Sequence, residues 1–149
     1  MIAFVTAGSG FLLAVLWFDL MFDVQALGRE PGELSEDVLA SVSSYYRRVT
    51  TAARPMNLLI AAMMLGTLAS ILAEILDGET SSWVAWASLA LAGSAILTAA
   101  LRTVPSAVRL GSRGDSPHRQ SALARSILHQ HLACIAAILT VLILQLAST

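Results

Sequence analysis

The sequence has no lysine, a single cysteine and few charges of either sign, with Asp, Glu, Lys and Arg making up only 13% of its 149 residues. One cysteine excludes an intramolecular disulfide, and Cys134 lies within the last apolar run as a small packing residue. The net charge of −1 gives no sign of a nucleic-acid partner, and none is expected. Phosphate-binding glycine loops, nucleophile elbows and zinc signatures are also missing. A membrane haem site needs histidines facing each other at one depth, and His118 falls in a connecting segment. No cofactor and no resident metal are expected.

What fills the chain instead is apolar. Hydrophobic residues make up 56% of it, and the mean hydropathy of +0.73 lies outside the range of soluble domains. A membrane-crossing helix needs about 20 mainly apolar residues. Four segments qualify: 2–27, 55–76, 83–101 and 121–146. The expectation is an all-α, integral membrane four-helix bundle occupying 1–149 as a single four-span domain. The first segment has no basic start and no small-residue cleavage signal, so it reads as a span and not a signal peptide.

The nine basic residues are all arginines and fall in two groups. Arg29, Arg47, Arg48 and Arg54 surround the first connection, and Arg102, Arg109, Arg113, Arg119 and Arg125 the third. By the positive-inside rule both connections are cytoplasmic. This predicts a multi-pass protein of the cell inner membrane with both termini outside the cytoplasm.

The second connection, Asp77-Gly-Glu-Thr-Ser-Ser82, is short and acidic, which makes spans two and three antiparallel neighbours. Trp83 and Trp86 mark the outer interface. In the first connection Leu34, Val38, Val42, Tyr45 and Val49 recur at helical spacing, with Leu39 and Tyr46 on the flank. Ser35 is the expected N-cap, with Glu36 and Asp37 in the first turn and Arg47 and Arg48 in the last. This predicts a cytoplasmic amphipathic helix lying at the membrane surface between spans one and two. Pro55 either opens span two or kinks a continuous helix. The third connection, 103–120, carries Pro105, Gly111, Gly114 and Pro117 and reads as loop. It contains Arg113-Gly-Asp-Ser-Pro117, an adhesion-type motif that the charge placement puts on the cytoplasmic side. Small residues that let helices approach in lipid are Gly8 and Gly10, the stripe Ala62, Gly66 and Ser70, and the stripe Ala85, Ser88, Ala92, Ala95 and Ala99.

The first span ends in Trp17-Phe-Asp-Leu-Met-Phe-Asp23, with two carboxylates four residues apart on one helix face. Such groups in a span usually face a polar interior or one another. At the same depth stand Arg54 and Asn57, Arg102, and Arg125, His129 and His131. One reading is an interfacial ion-pair network that fixes helix ends while arginines reach toward membrane lipids. The other is a cytoplasm-facing pocket with Asp19, Asp23, His129 and His131 as candidate catalytic residues and Arg54, Asn57, Arg102 and Arg125 binding a small lipophilic ligand. There an aspartate or His129 would act as base and an arginine would stabilise an oxyanion. A divalent cation on Asp19, Asp23 and His129 is a weaker option, since His129 and His131 diverge around the helix.

Val104-Pro-Ser-Ala-Val-Arg-Leu110 and Ala124-Arg-Ser-Ile-Leu-His-Gln-His-Leu132 resemble stretches of the anthrone-oxygenase-like family of small four-span membrane proteins. Tyr45-Tyr-Arg-Arg-Val49 and Pro55-Met-Asn57 are compatible with it. The chain departs from that family at Ser106, at Ser126-Ile127 and near Cys134. The resemblance implies cofactor-independent oxygenase chemistry and adds His131 to the candidates. The leading expectation is thus a small-molecule-binding protein with oxygenase-like activity. The alternatives are an accessory subunit that docks a membrane protein partner, and a homo-oligomeric, dimeric ion or metal conduit.

Overall fold

The computed structural model describes residues 1–27, 32–78 and 80–148. Arg29 and Glu79, both used in the charge argument, lie outside the described residues. The protein is all-α, a membrane protein with four transmembrane helices and a short helix between the first two. Helix α1, Ile2–Asp23, continues through a 3₁₀ turn at Val24–Ala26. The short α2 is Glu36–Thr51, and α3 is Arg54–Asp77. Helix α4, Ser82–Thr98, runs through a π turn at Ala99–Thr103 into α5, Val104–Ser112. Helix α6, Pro117–Ala147, is the longest. The four apolar rods are Ile2–Ala26, Arg54–Asp77, Ser82–Ser112 and Pro117–Ala147.

Local signals explain most of the ends. Ser35 caps α2 by accepting from the Val38 amide at 3.4 Å, and Glu36 and Asp37 face its positive end. Pro55 sits in the first turn of α3, where its missing N–H breaks no helical bond, so it opens the span. Gly78, at φ +66, closes α3 in the left-handed conformation that glycine adopts without strain.

The third connection is the main departure from expectation. Most of 103–120 is helix, because Gly111 is needed for contact and Pro105 is accommodated. A proline at 105 removes the N–H that would reach the Leu101 carbonyl. The helix widens into the π turn just before it, a known way to absorb such a gap. The α5–α6 corner is the short turn that contains the adhesion-type motif. Arg113 adopts φ 53 and ends α5, and Ser116 caps α6 by accepting from the Arg119 amide at 3.5 Å. Arg113 Nη2 donates to Glu36 Oε1 at 2.7 Å, and Arg109 Nη2 to Asp115 Oδ1 at 2.9 Å. Both charged side chains of the motif are thereby committed within the fold.

Two apolar cores result. One, between α1, α3, α4 and α6, gathers Val5, Leu12, Ile71, Ala92, Ala95, Cys134, Ile138 and Val141. Its small third-span stripe is buried at Ala85, Ser88, Ala92 and Ala95, with Ala99 half-buried. The other lies at the arginine-rich end and joins Leu34, Leu39, Val42 and Tyr46 to Ala107, Leu110, Ala124 and Ile127. Helix α2 therefore packs its apolar face on α5 and α6. Leu39 and Tyr46, predicted as the flank, are buried together with Val42, because α5 is a helix that supplies a wall to pack on.

Two glycines show how close the helices come. A Cβ on Gly8 would overlap the Thr67 hydroxyl, and a Cβ on Gly111 would sit 2.8 Å from the Arg47 backbone nitrogen. Gly10 and Gly66 face open space. With Ala62 also exposed and Ser70 half-buried, the second-span stripe points mostly outward rather than into the bundle. Backbone cannot yield as a hydroxyl can. Gly111→Ala should accordingly destabilise the chain by about 1–3 kcal/mol, whereas Gly10→Ala should leave the unfolding midpoint in lipid nanodiscs unchanged.

Candidate functional site

The two aspartates of α1 meet the two tyrosines of α2. Tyr45 Oη donates to Asp19 Oδ1 at 2.5 Å, and Tyr46 Oη donates to Asp23 Oδ1. Adjacent tyrosines can do this because the carboxylates are one helical turn apart and α2 crosses that end of the span. The Phe22 ring stacks on Tyr45, with centroids 3.9 Å apart and planes within 9°. His131 of α6 completes the cluster. Its Nδ1 lies 2.5 Å from Asp23 Oδ2, and its Nε2 is 3.9 Å from Asp19 Oδ2. Since Asp23 already accepts from Tyr46, the ring proton belongs on Nδ1, where it is donated to the carboxylate.

The cluster becomes more enclosed from Asp19 to Asp23. Side-chain exposure is 20% at Asp19, 7% at His131 and 1% at Asp23. Tyr46 is buried and Tyr45 half-buried. Burial pushes both tyrosine hydroxyls above their ordinary value; the charge and hydrogen bond of Asp23 raise Tyr46 further, and Asp19 does the same for Tyr45. They remain protonated donors at neutral pH. Along α6, His131 stands between Ala124 and Ile127 of one core and Cys134 and Ile138 of the other. The cluster is a seam between the two cores.

The structure brings together Asp19, Asp23 and His131, and leaves the remaining sequence candidates elsewhere. Arg54 and Arg102 are exposed. Arg125 Nη2 donates to the Gly32 carbonyl at 2.6 Å. Asn57 Nδ2 donates to the Val49 carbonyl at 2.8 Å, which ties α2 to the start of α3. His129 is exposed and its Nδ1 donates to its own helix at the Arg125 carbonyl, 2.7 Å away. Among the described residues no arginine pairs with the aspartates, contrary to expectation; the partners are hydroxyl and imidazole groups. A guanidinium is costly to bury and favours an exposed position, whereas a tyrosine can be buried with its hydroxyl matched. Among the described residues no three His, Cys, Asp or Glu side chains are placed to hold a metal ion.

Helical periodicity places Tyr45 and Tyr46 on and beside an apolar face and gives no sign of their hydroxyl partners. Glu74 and Gln145, which are not among the sequence candidates, are fully buried in spans two and four. The signal for Glu74 was available, because an ionisable residue one turn inside a span calls for a partner.

A family model for the SHR3 chaperone, described as ER membrane protein SH3, matches residues 1–148. No curated protein and no solved structure matches the chain. The match over nearly the full length corrects three expectations. It replaces the anthrone-oxygenase-like resemblance, which rested on about twenty residues. It replaces the small-molecule pocket and its oxygenase-like chemistry by an accessory role toward partner membrane proteins. It also places the multi-pass chain in the endoplasmic reticulum membrane in place of the cell inner membrane.

Tyr46→Phe should destabilise the fold by about 1–3 kcal/mol, as it takes the donor from one oxygen of a buried carboxylate, and Tyr45→Phe should cost less at the more open Asp19. The raised hydroxyls also predict a pH effect. Stability from the tyrosines is complete below their ordinary value of 10.0 and declines as pH rises beyond it. Alkaline unfolding followed by circular dichroism should therefore be shallower in the Tyr45→Phe, Tyr46→Phe double variant than in the wild type.

Proposed function

We propose, since the chain belongs to the SHR3 chaperone family, that it is an accessory chaperone of the endoplasmic reticulum membrane whose clients are amino-acid permeases. It acts by covering the apolar flank of a client span before that span finds its permanent neighbours. In lipid such recognition relies on close side-chain fit and interhelical hydrogen bonds, since apolar surface alone gives little preference for helix over lipid.

The observation that favours this reading is the outer face of α3. Only Thr67, Ile71 and Glu74 of this helix are buried. Leu58, Ala62, Leu65, Ala69, Leu72 and Leu76 are all exposed. Their spacing alternates four and three, the seam on which two helices interlock side chains. Large and small residues alternate along most of it, with Gly66 open beside Ala62 and Ala69. The leucines act as knobs and the alanines and glycine leave holes. This seam is continuous over the length of a span, so it suits one client helix laid alongside.

The polar cluster then has a scaffolding part in the reading. By fixing α2 and α1 to α6, it leaves α3 as the rod with the most free surface. A photoreactive residue at Leu65 should crosslink to newly made permease, and one at Leu139, on the exposed side of α6, should not. Filling the holes with Ala62→Leu and Ala69→Leu should lower permease recovery on co-purification at least fivefold without moving the unfolding midpoint of the isolated chain. Equal crosslinking at both positions, or unchanged recovery, would remove α3 as the docking helix.

A further inference from the structure

Beyond the docking reading, the bundle holds a second polar cluster, at the end away from the aspartates. Gln145 Nε2 donates to Glu74 Oε2 at 3.0 Å and to Ser88 Oγ at 3.3 Å. Glu74, Ser88 and Gln145 come from α3, α4 and α6 and have no exposed surface. Both amide hydrogens of Gln145 are used by these bonds. Two oxygens are left over, since Glu74 Oε1 and Gln145 Oε1 are buried without a hydrogen-bond partner. Turning the amide over would set its oxygen against the carboxylate oxygen, so the partners themselves fix its orientation.

The cluster therefore has two neighbouring acceptors that lack donors. The oxygens belong to two buried groups already held together by a hydrogen bond. We infer that this cluster binds a water molecule inside the bundle, donating one hydrogen to Glu74 Oε1 and the other to Gln145 Oε1. Ser88 Oγ accepts an amide hydrogen of Gln145 and so holds that side chain in place. A water with two or three such bonds has the number of partners that buried water usually finds. A small hard cation is disfavoured, because it needs about six oxygen ligands and would meet the amide hydrogens of Gln145 at close range. The bound water joins the ends of three spans where apolar packing alone would leave two acceptors unmatched.

Water-edited solid-state NMR of the full chain in lipid bilayers, labelled with ¹³C glutamate and valine, tests the site. The Glu74 carboxyl signal is identified by its loss in Glu74→Gln. Magnetisation from water should reach it within twofold of the rate at exposed Glu36, while buried Val141 receives none on that timescale. Removing one acceptor with Gln145→Met should slow transfer to Glu74 at least threefold, and Ser88→Ala, a milder change at the same cluster, should leave transfer within twofold of the wild type. A Glu74 signal as dry as Val141 overturns the inference. So does a Glu74 signal that shifts saturably with sodium or calcium at constant ionic strength, which would make the occupant a cation.

Discussion

A carboxylate at the buried end of a membrane helix must be met by donors, and most of this structure can be understood from how Asp23 meets them. Its two oxygens take one hydroxyl from α2 and one ring N–H from α6. Neither donor is close in sequence, so satisfying one side chain at the end of α1 fixes the positions of two other helices. The cost of leaving such a group unmatched in a low-dielectric interior makes the arrangement selective. Helices displaced by one residue would present the wrong side chain and strand the charge.

That requirement also explains why the chain has two cores. Above the cluster, small residues let the spans approach in lipid, where dispersion and fit outweigh any hydrophobic gain. Beyond it, α2, α5 and the start of α6 bury leucine, valine and tyrosine much as a water-soluble domain would. The two regions obey different solvents and share the long α6. Gly111 belongs to the second, where the backbone of α2 comes close enough to exclude any side chain.

The spans were legible in the sequence because length and hydropathy are local quantities. So was α2, whose cap and charged ends all agree. The fate of Pro105 and Gly111 was not, since each can signal a loop or a special contact, and only the position of α2 distinguishes the two. The aspartates were recognisable as residues in need of partners, but their partners were not. Arginines near in depth are the obvious choice by charge, and the actual donors were assigned to an apolar stripe because tyrosine fits both descriptions. Of the two histidines separated by one residue, His131 faces inward and His129 outward, a difference set by helix phase that periodicity alone left open. The family match came from the pattern of the whole chain rather than from the twenty residues that had suggested an oxygenase.

The π turn at Ala99–Thr103 has a consequence of phase. An α-helix advances about 100° per residue, so the one extra residue accommodated there sets the facing of everything that follows. The rod before it aims Ala92 and Ala95 at the lipid-embedded core, and the rod after it aims Ala107 and Leu110 at α2. The turn works as a vernier between two sections of one helix that answer to different environments. In a related chain whose five residues there kept the plain α-helical advance, α5 would rotate by about a quarter turn and carry Arg109 toward the face that Leu110 now fills.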